Sequence, residues 1–271
     1  MSILATLDTD FISKGYIIRA DDNNRLIDRI MELPDYQFFC HAHTLVELNR
    51  HKFDSLDWLK DKIQNGEIES YSDERIINEM AQVYFSVTIP QYINLLKTAC
   101  EANSQDYFSK HYAELDSFDY ANQTQQAFLS VLSRLDTQIG EDNDLGEIKE
   151  YILLQWLNIK QSEPVFYFCS DDEGARNGVL AIDDINISCM SIPSSFVRLR
   201  MKNILTSDTM QPYLDSANQY YRDYGIKTIC IAQPSNHHIH TKILYDDVLR
   251  DIHDNRFIEL KSGMLQYKPF T

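Results

Sequence analysis

Three observations predict an α/β fold built on a doubly wound, mainly parallel sheet. Short apolar runs of strand type alternate with amphipathic helical patterns toward both ends of the chain. Acidic signatures recur where those strands end or the following helices begin, the places that a doubly wound sheet gathers into one crevice. Glycine and proline are sparse, at 8 and 7 of 271 residues, which favours one compact body over domains on linkers.

Residues 2–7 are apolar and stop at Asp8, which suits a buried first strand emptying into a helix near Thr9. A helix is expected over 22–33, where Leu26, Ile27, Ile30 and Leu33 share a face and Pro34 ends it. Residues 36–40 read as a strand and 44–51 as the next helix, with Glu47 near its first turn. From 53 to 157 the pattern is almost wholly helical, with a break at Pro90. That is too long for one crossover and reads as an inserted helical region or cap. Strand alternation then resumes: a strand over 164–169, a short helix over 171–179, a strand over 185–190 and a helix over 194–204. A helix over 210–224, a strand over 227–232 and a helix over 242–253 complete the pattern.

With 44% hydrophobic and 24% charged residues the chain can bury a substantial core. No apolar run reaches the roughly 20 residues of a membrane helix, and the start has no basic n-region, so cytoplasmic residence is expected. Cys40, Cys100, Cys169, Cys189 and Cys230 form no C-x-x-C pair and read as reduced thiols. The net charge of −16 excludes broad, sequence-independent binding of nucleic acid, since that affinity is mostly phosphate neutralisation. Residues 101–150 carry eleven acids against three bases, which leaves a basic partner protein as a candidate for that face.

Four signatures carry the chemistry: Asp8-Thr9-Asp10, Glu47 in Thr44-Leu45-Val46-Glu47, Glu147 after Asp144-Leu145-Gly146, and Ser170-Asp171-Asp172 followed by Arg176. Gathered carboxylates repel one another and attract a divalent cation, Mg²⁺ or Mn²⁺, whose chemistry suits phosphate esters. Each has a plainer reading. Asp8 serves equally as a helix cap, and Thr44 with Glu47, or Asp144 with Glu147, has capping-box spacing. Arg176 could steady a carboxylate, touch a phosphate or pair with a neighbour one turn away.

In order and placement these motifs resemble the PIN-domain nucleases. The opening Leu7-Asp8-Thr9-Asp10, the Thr44-x-x-Glu47 helix start, Gly146-Glu147 and the strand ending in Ser170-Asp171-Asp172 each match a part of that pattern. The resemblance covers roughly 1–52 and 144–204. It implies a three-layer α/β/α core over those residues, a helical insertion over 53–143 and an α/β extension over 205–271 packed on the core. It further implies an endoribonuclease, cutting RNA in preference to DNA, with Asp8, Glu47, Glu147 and Asp172 as catalytic metal ligands and Asp10, Asp171, Thr9, Ser170 and Arg176 in support. Asp172 fits the ligand position better than Asp171. A toxin–antitoxin or mobile-element setting, an antitoxin-like partner and a homo-oligomer accompany the family.

Two other readings stay open. A haloacid-dehalogenase-like phosphatase would use Asp8 as nucleophile and Asp10 as general acid, but no Gly-Thr follows the D-x-D and Glu47 has no role there. A catalytically silent scaffold would keep the fold without binding metal. His41 and His43 read as strand-end histidines, and His237, His238 and His240 as a solvated loop. Lys14, Arg19, Arg25, Arg29, Arg176, Arg198, Arg200 and Lys202 are the bases that a substrate strand would meet. Neither a G-x-G-x-x-G nor a Walker sequence is present.

Overall fold

The computed structural model describes residues 2–21, 23–51, 53–140, 144–161, 164–183, 185–234 and 236–269. Strand β1 (Ile3–Leu7) runs into helix α1 (Thr9–Ile17). The helix expected over 22–33 is shorter. A hairpin of β2 (Arg19–Asp21) and β3 (Asn24–Arg25) takes its first residues, and α2 spans Leu26–Met31. The cause is local: the Asp21 carboxylate accepts the amides of Asn23 and Asn24, a side-chain turn that competes with helix. Asp22, also within that expected helix, lies outside the described residues. Strand β4 (Tyr36–His41) and α3 (Ala42–Arg50) follow, the helix starting two residues earlier than its sequence suggests.

The segment read as almost wholly helical contains a strand. Between α4 (Ser55–Gln64) and α5 (Asp73–Tyr84) lies β5 (Ile68–Tyr71), paired in parallel with β4 in the register Phe38↔Ile68 to His41↔Tyr71. Ile-Glu-Ser-Tyr is too short to show a period, and its strand character comes from the partner. The helical break falls at the turn Phe85–Val87, where Phe85 has φ 50°, and Pro90 sits harmlessly in the first turn of α6 (Thr88–Asn103). Helices α7 (Tyr107–His111), α8 (Gln125–Ile139) and α9 (Leu145–Lys160) complete the region. Then come β6 (Val165–Cys169), α10 (Glu173–Leu180), β7 (Ile187–Met190) and α11 (Ile192–Met201).

The central sheet is parallel throughout, in the order β5-β4-β1-β6-β7. Successive side chains of its strands enter two separate cores, as a period of two requires. Leu4, Phe39, Phe166, Phe168 and Cys189 pack against the helices α5, α6, α8 and α9. Ala5, Phe38, Cys40, Tyr167 and Met190 pack toward α1, α2 and α11. The sheet is therefore flanked by helices on both faces, and its central strands are buried on both, which explains their continuous apolar runs.

The tail departs further from its sequence pattern. After α12 (Ser207–Asp223), strands β8 (Thr228–Gln233) and β9 (Asn236–Leu244) form an antiparallel pair, followed by α13 (Tyr245–His253), β10 (Phe257–Glu259) and β11 (Leu265–Tyr267). These strands make a second sheet ordered β10-β11-β8-β9. The histidines read as a loop lie on β9, where Ile239, Thr241 and Ile243 supply the alternation; the side chains of His237 and His238 lie outside what is described. Residues 242–244, expected to begin a helix, end this strand instead. The second sheet is tied to the first by the Cys189 amide donating to the Lys261 carbonyl at 2.7 Å and the Ser191 hydroxyl donating to the Gly263 carbonyl at 2.7 Å. Gly263 adopts φ 73°, and a Cβ there would meet Arg176 and Cys189 at 3.1 Å. All five cysteines are free thiols, four of them buried. Among the described residues no helix is long and apolar enough to cross a membrane.

Candidate functional site

Strand order reverses between β1 and β6, because the chain fills the sheet outward on the β4 side before crossing to the β6 side. Adjacent carboxyl ends at such a reversal leave a crevice. The Asp8 amide donates to the Cys169 carbonyl at 3.0 Å, so Asp8 and Ser170 leave the sheet side by side. The cleft there, about 330 Å³, is lined by Asp8, Asp10, Glu47, Glu147 and Asp172, and also by Thr9, Lys14 and Tyr220.

Asp8 caps α1, accepting the Thr9 amide at 2.7 Å on Oδ1 and the Ser170 hydroxyl at 2.8 Å on Oδ2. It is buried, and burial with repulsion from Asp10 and Glu147 raises its pKa well above the ordinary carboxylate value. Glu47 lies in the second turn of α3, not the first, and accepts a short hydrogen bond from the Thr9 hydroxyl. Burial raises its pKa too. His43 Nε2 stands 3.7 Å from Glu47 Oε1, yet burial pushes the imidazole down to about 4, so it faces the carboxylate as a neutral ring. The capping box does not form: His41 caps α3, and the Thr44 hydroxyl donates to Glu150 at 3.1 Å.

Glu147 sits in the first turn of α9. Burial raises it to about 7, countered by its own backbone amide and reinforced by Glu47, Asp144 and Asp172. Asp144 makes no side-chain cap and accepts instead from Asn103 at 2.8 Å, so this second capping box is also absent. Asp172 caps α10, accepting the Ala175 amide at 2.9 Å, while its own amide donates to Ser170 Oγ at 3.1 Å. Ser170 therefore joins Asp8 to Asp172.

Of the supporting acids Asp10 also lines the cleft, and both Asp10 and Asp171 are tied to Lys14. Asp10 accepts the Asp171 amide at 3.1 Å and pairs with Lys14 at 3.0 Å. Asp171 pairs with Lys14 at 2.8 Å and accepts the Ile192 amide and the Tyr221 hydroxyl, at 3.1 and 3.2 Å. Burial pulls the Lys14 pKa down, but Asp171 and Asp10 together hold it well above its ordinary value. Lys14 is thus a clamp between α1 and the β6–α10 turn, a role without local signature. Among the described residues Arg176 forms no ion pair with a carboxylate. Its Nη1 donates to the Ser170 carbonyl at 2.9 Å and its Nε to the Ser262 carbonyl at 3.0 Å, fastening that turn to the tail. Arg29 pairs with Glu32, Arg198 with Glu259, and Arg200 donates to the Ile252 and His253 carbonyls.

Helix α9 carries two further ionisable groups away from the cleft. Lys149 is buried between Asp73 (2.8 Å) and Asp136 (2.7 Å), which also accept the hydroxyls of Tyr92 and Tyr112. Burial alone would raise Asp73, but Lys149 and His41 hold it far below the carboxylate range. Glu150 accepts the His41 amide at 2.7 Å together with Thr44, and burial raises it to about 8.

The four cleft carboxylates form an all-oxygen donor set, the kind that Mg²⁺ and Mn²⁺ prefer. Burial raises the pKa of Asp8, Glu47 and Glu147, and a cation bound among them would favour their charged forms. Gly146 leaves room for one of them: a Cβ there would stand 2.5 Å from Glu47 Oε1. Among the described residues no three His, Cys, Asp or Glu side chains stand as a ready-made ion site; Asp8 is held by Thr9 and Ser170, and Asp172 by Ala175. The donor chemistry fits such a cation. Compared with protein-family models, curated proteins and solved structures, the chain matches none, so the cleft is the basis for a functional reading.

Proposed function

We propose that this chain is a metal-dependent phosphodiesterase, a PIN-like endoribonuclease, using Asp8, Glu47, Glu147 and Asp172 with Mg²⁺ or Mn²⁺. One observation carries the reading: carboxylates from four separate segments line a single cleft at the reversal of strand order, with burial and mutual repulsion raising three of them. When bound, such a cation supplies Lewis acidity toward a phosphate and acidifies water at near-neutral pH. The chain's own part is positional. Thr9 aims Glu47, Ser170 holds Asp8 beside Asp172, and Lys14 keeps Asp171 out of the cleft. The phosphatase alternative is disfavoured because both oxygens of Asp10 are engaged, by Lys14 and by the Asp171 amide, which removes it from general-acid work.

The test is incubation of purified protein with single-stranded and structured RNA and DNA, in Mn²⁺, Mg²⁺ or EDTA, beside Asp8→Asn and Asp172→Asn. Metal-dependent cutting of RNA lost in both folded variants supports the reading. Intact substrate in every metal overturns it.

A further inference from the structure

Tyrosines gather where α12 ends. Tyr220 lines the acid cleft, and its ring lies 4.5 Å from that of Tyr224 at an interplanar angle of 34°. Behind the pair, Tyr221 meets Tyr220 edge-on at 5.3 Å and packs 3.8 Å from the buried Tyr245. The Tyr221 hydroxyl donates to Asp171, so the aromatic group is braced against the β6–α10 turn that presents Asp172. Tyr224 is 66% exposed, and its hydroxyl makes no hydrogen bond among the described residues.

The electrostatics of the cleft give this pair a purpose. A polyanionic strand entering beside Asp8, Asp10, Glu47, Glu147 and Asp172 meets repulsion, and Lys14 is already paired with two carboxylates. Lys14 is not free to grip the flanking phosphates, and a cation held by the carboxylates would draw the scissile phosphate alone, so an uncharged contact is called for beside it. The π-face of a base offers one, whatever the base, but only where the strand is unpaired, since in a duplex both faces are covered by neighbours.

We propose that Tyr220 and Tyr224 form a stacking platform for a base next to the scissile phosphate, so that the cleft takes single-stranded and not duplex nucleic acid. The proposal rests on the phosphodiesterase reading of that cleft. It accounts for a protein of net charge −16 acting on a polyanion.

The experiment is fluorescence anisotropy of a short labelled uridine strand, its deoxy counterpart and a duplex of equal length, with Ca²⁺ present and strand integrity checked on gels. Tyr224→Leu, a surface change that keeps apolar bulk but removes the ring, is expected to weaken single-strand binding roughly tenfold, while Tyr224→Trp retains it and the duplex binds weakly to all three proteins. Iodouridine strands should photo-cross-link to Tyr220 or Tyr224. Equal binding by wild type and Tyr224→Leu, preference for duplex, or cross-links elsewhere overturns the platform. So does self-association abolished by Tyr224→Leu with no effect on the strand, which would make Tyr224 a protein contact. Platform-dependent binding without cleavage in any metal would remove the hydrolase reading and keep the platform. Normal cleavage by Tyr224→Leu at unchanged KM would do the reverse.

Discussion

Gly146 lies directly under the carboxylate of Glu47, so that a Cβ added to it would stand 2.5 and 2.7 Å from the two oxygens. Helix α9 approaches α3 this closely because one residue in its first turn has no side chain. Gly146→Ala therefore forces the Glu47 carboxylate to move while favouring the helix by up to about 1 kcal/mol. Activity is expected to fall on the order of tenfold or more with the melting temperature held or raised, since small misplacements of a reacting group are expensive. Steady-state kinetics beside calorimetry checks this, and unchanged kcat/KM would remove Glu47 from the chemistry.

Asp171 and Asp172 are adjacent in sequence and opposite in role. Asp171→Asn breaks the pair with Lys14 and weakens its bonds to Tyr221 and Ile192, and should cost about 1–3 kcal/mol of stability. Asp172→Asn keeps an oxygen for the Ala175 amide, so stability should hold while metal-dependent cleavage is lost. Urea unfolding and cleavage of the two variants side by side decide the assignment, and the opposite pattern would exchange the two residues.

Lys149, itself buried, answers two half-buried carboxylates at once. Replacing it with Met leaves Asp73 and Asp136 uncompensated and should destabilise by about 3–5 kcal/mol at neutral pH. The depressed pKa of Asp73 stabilises the fold above the unfolded value of about 4 and loses its effect as pH falls below that. Wild type and Lys149→Met should thus converge in acid. Denaturation across pH tests it: a constant gap between the two proteins would mean that the triad contributes packing alone.

Glu150 has the opposite sign. Unfolded, it loses its proton near pH 4.5; folded, it keeps it to about 8. The folded state binds more protons between those values, so stability should decline from about pH 4.5 to about 8, by a few kcal/mol at most, and level off above. Glu150→Gln preserves the acceptor for the His41 amide and Thr44 and should flatten that slope. An unaltered slope in the variant would place the titration elsewhere.

The parts of the fold legible in sequence were those whose cause is local. The apolar run ending abruptly at Asp8 and the one ending at Ser170-Asp171-Asp172 are strands buried on both faces, and hydrophobicity alone marks them. Their meeting at one cleft follows from strand order. What escaped notice depends on partners distant in sequence. β5 is a strand because β4 lies beside it, and β9 because β8 does. Thr44 and Glu47 carry capping-box spacing, yet Thr44 serves Glu150 and Glu47 is served by Thr9, from helices far along the chain. Tyr220 sits in an amphipathic helix where an aromatic reads as ordinary core. Its place at the cleft was invisible until α12 was laid against the turn after β6.

Helix α9 holds Glu147, Lys149 and Glu150 on different sides of a single rod, facing the cleft, the helices α5 and α8, and the end of β4. Reciprocity follows from that. Whatever fixes Glu147 also restrains the rod, and must raise the free energy of opening α5 and α8 by the amount that their closure improves its own binding. Amide protons in helices that never touch the cleft should therefore exchange more slowly when the cleft is filled.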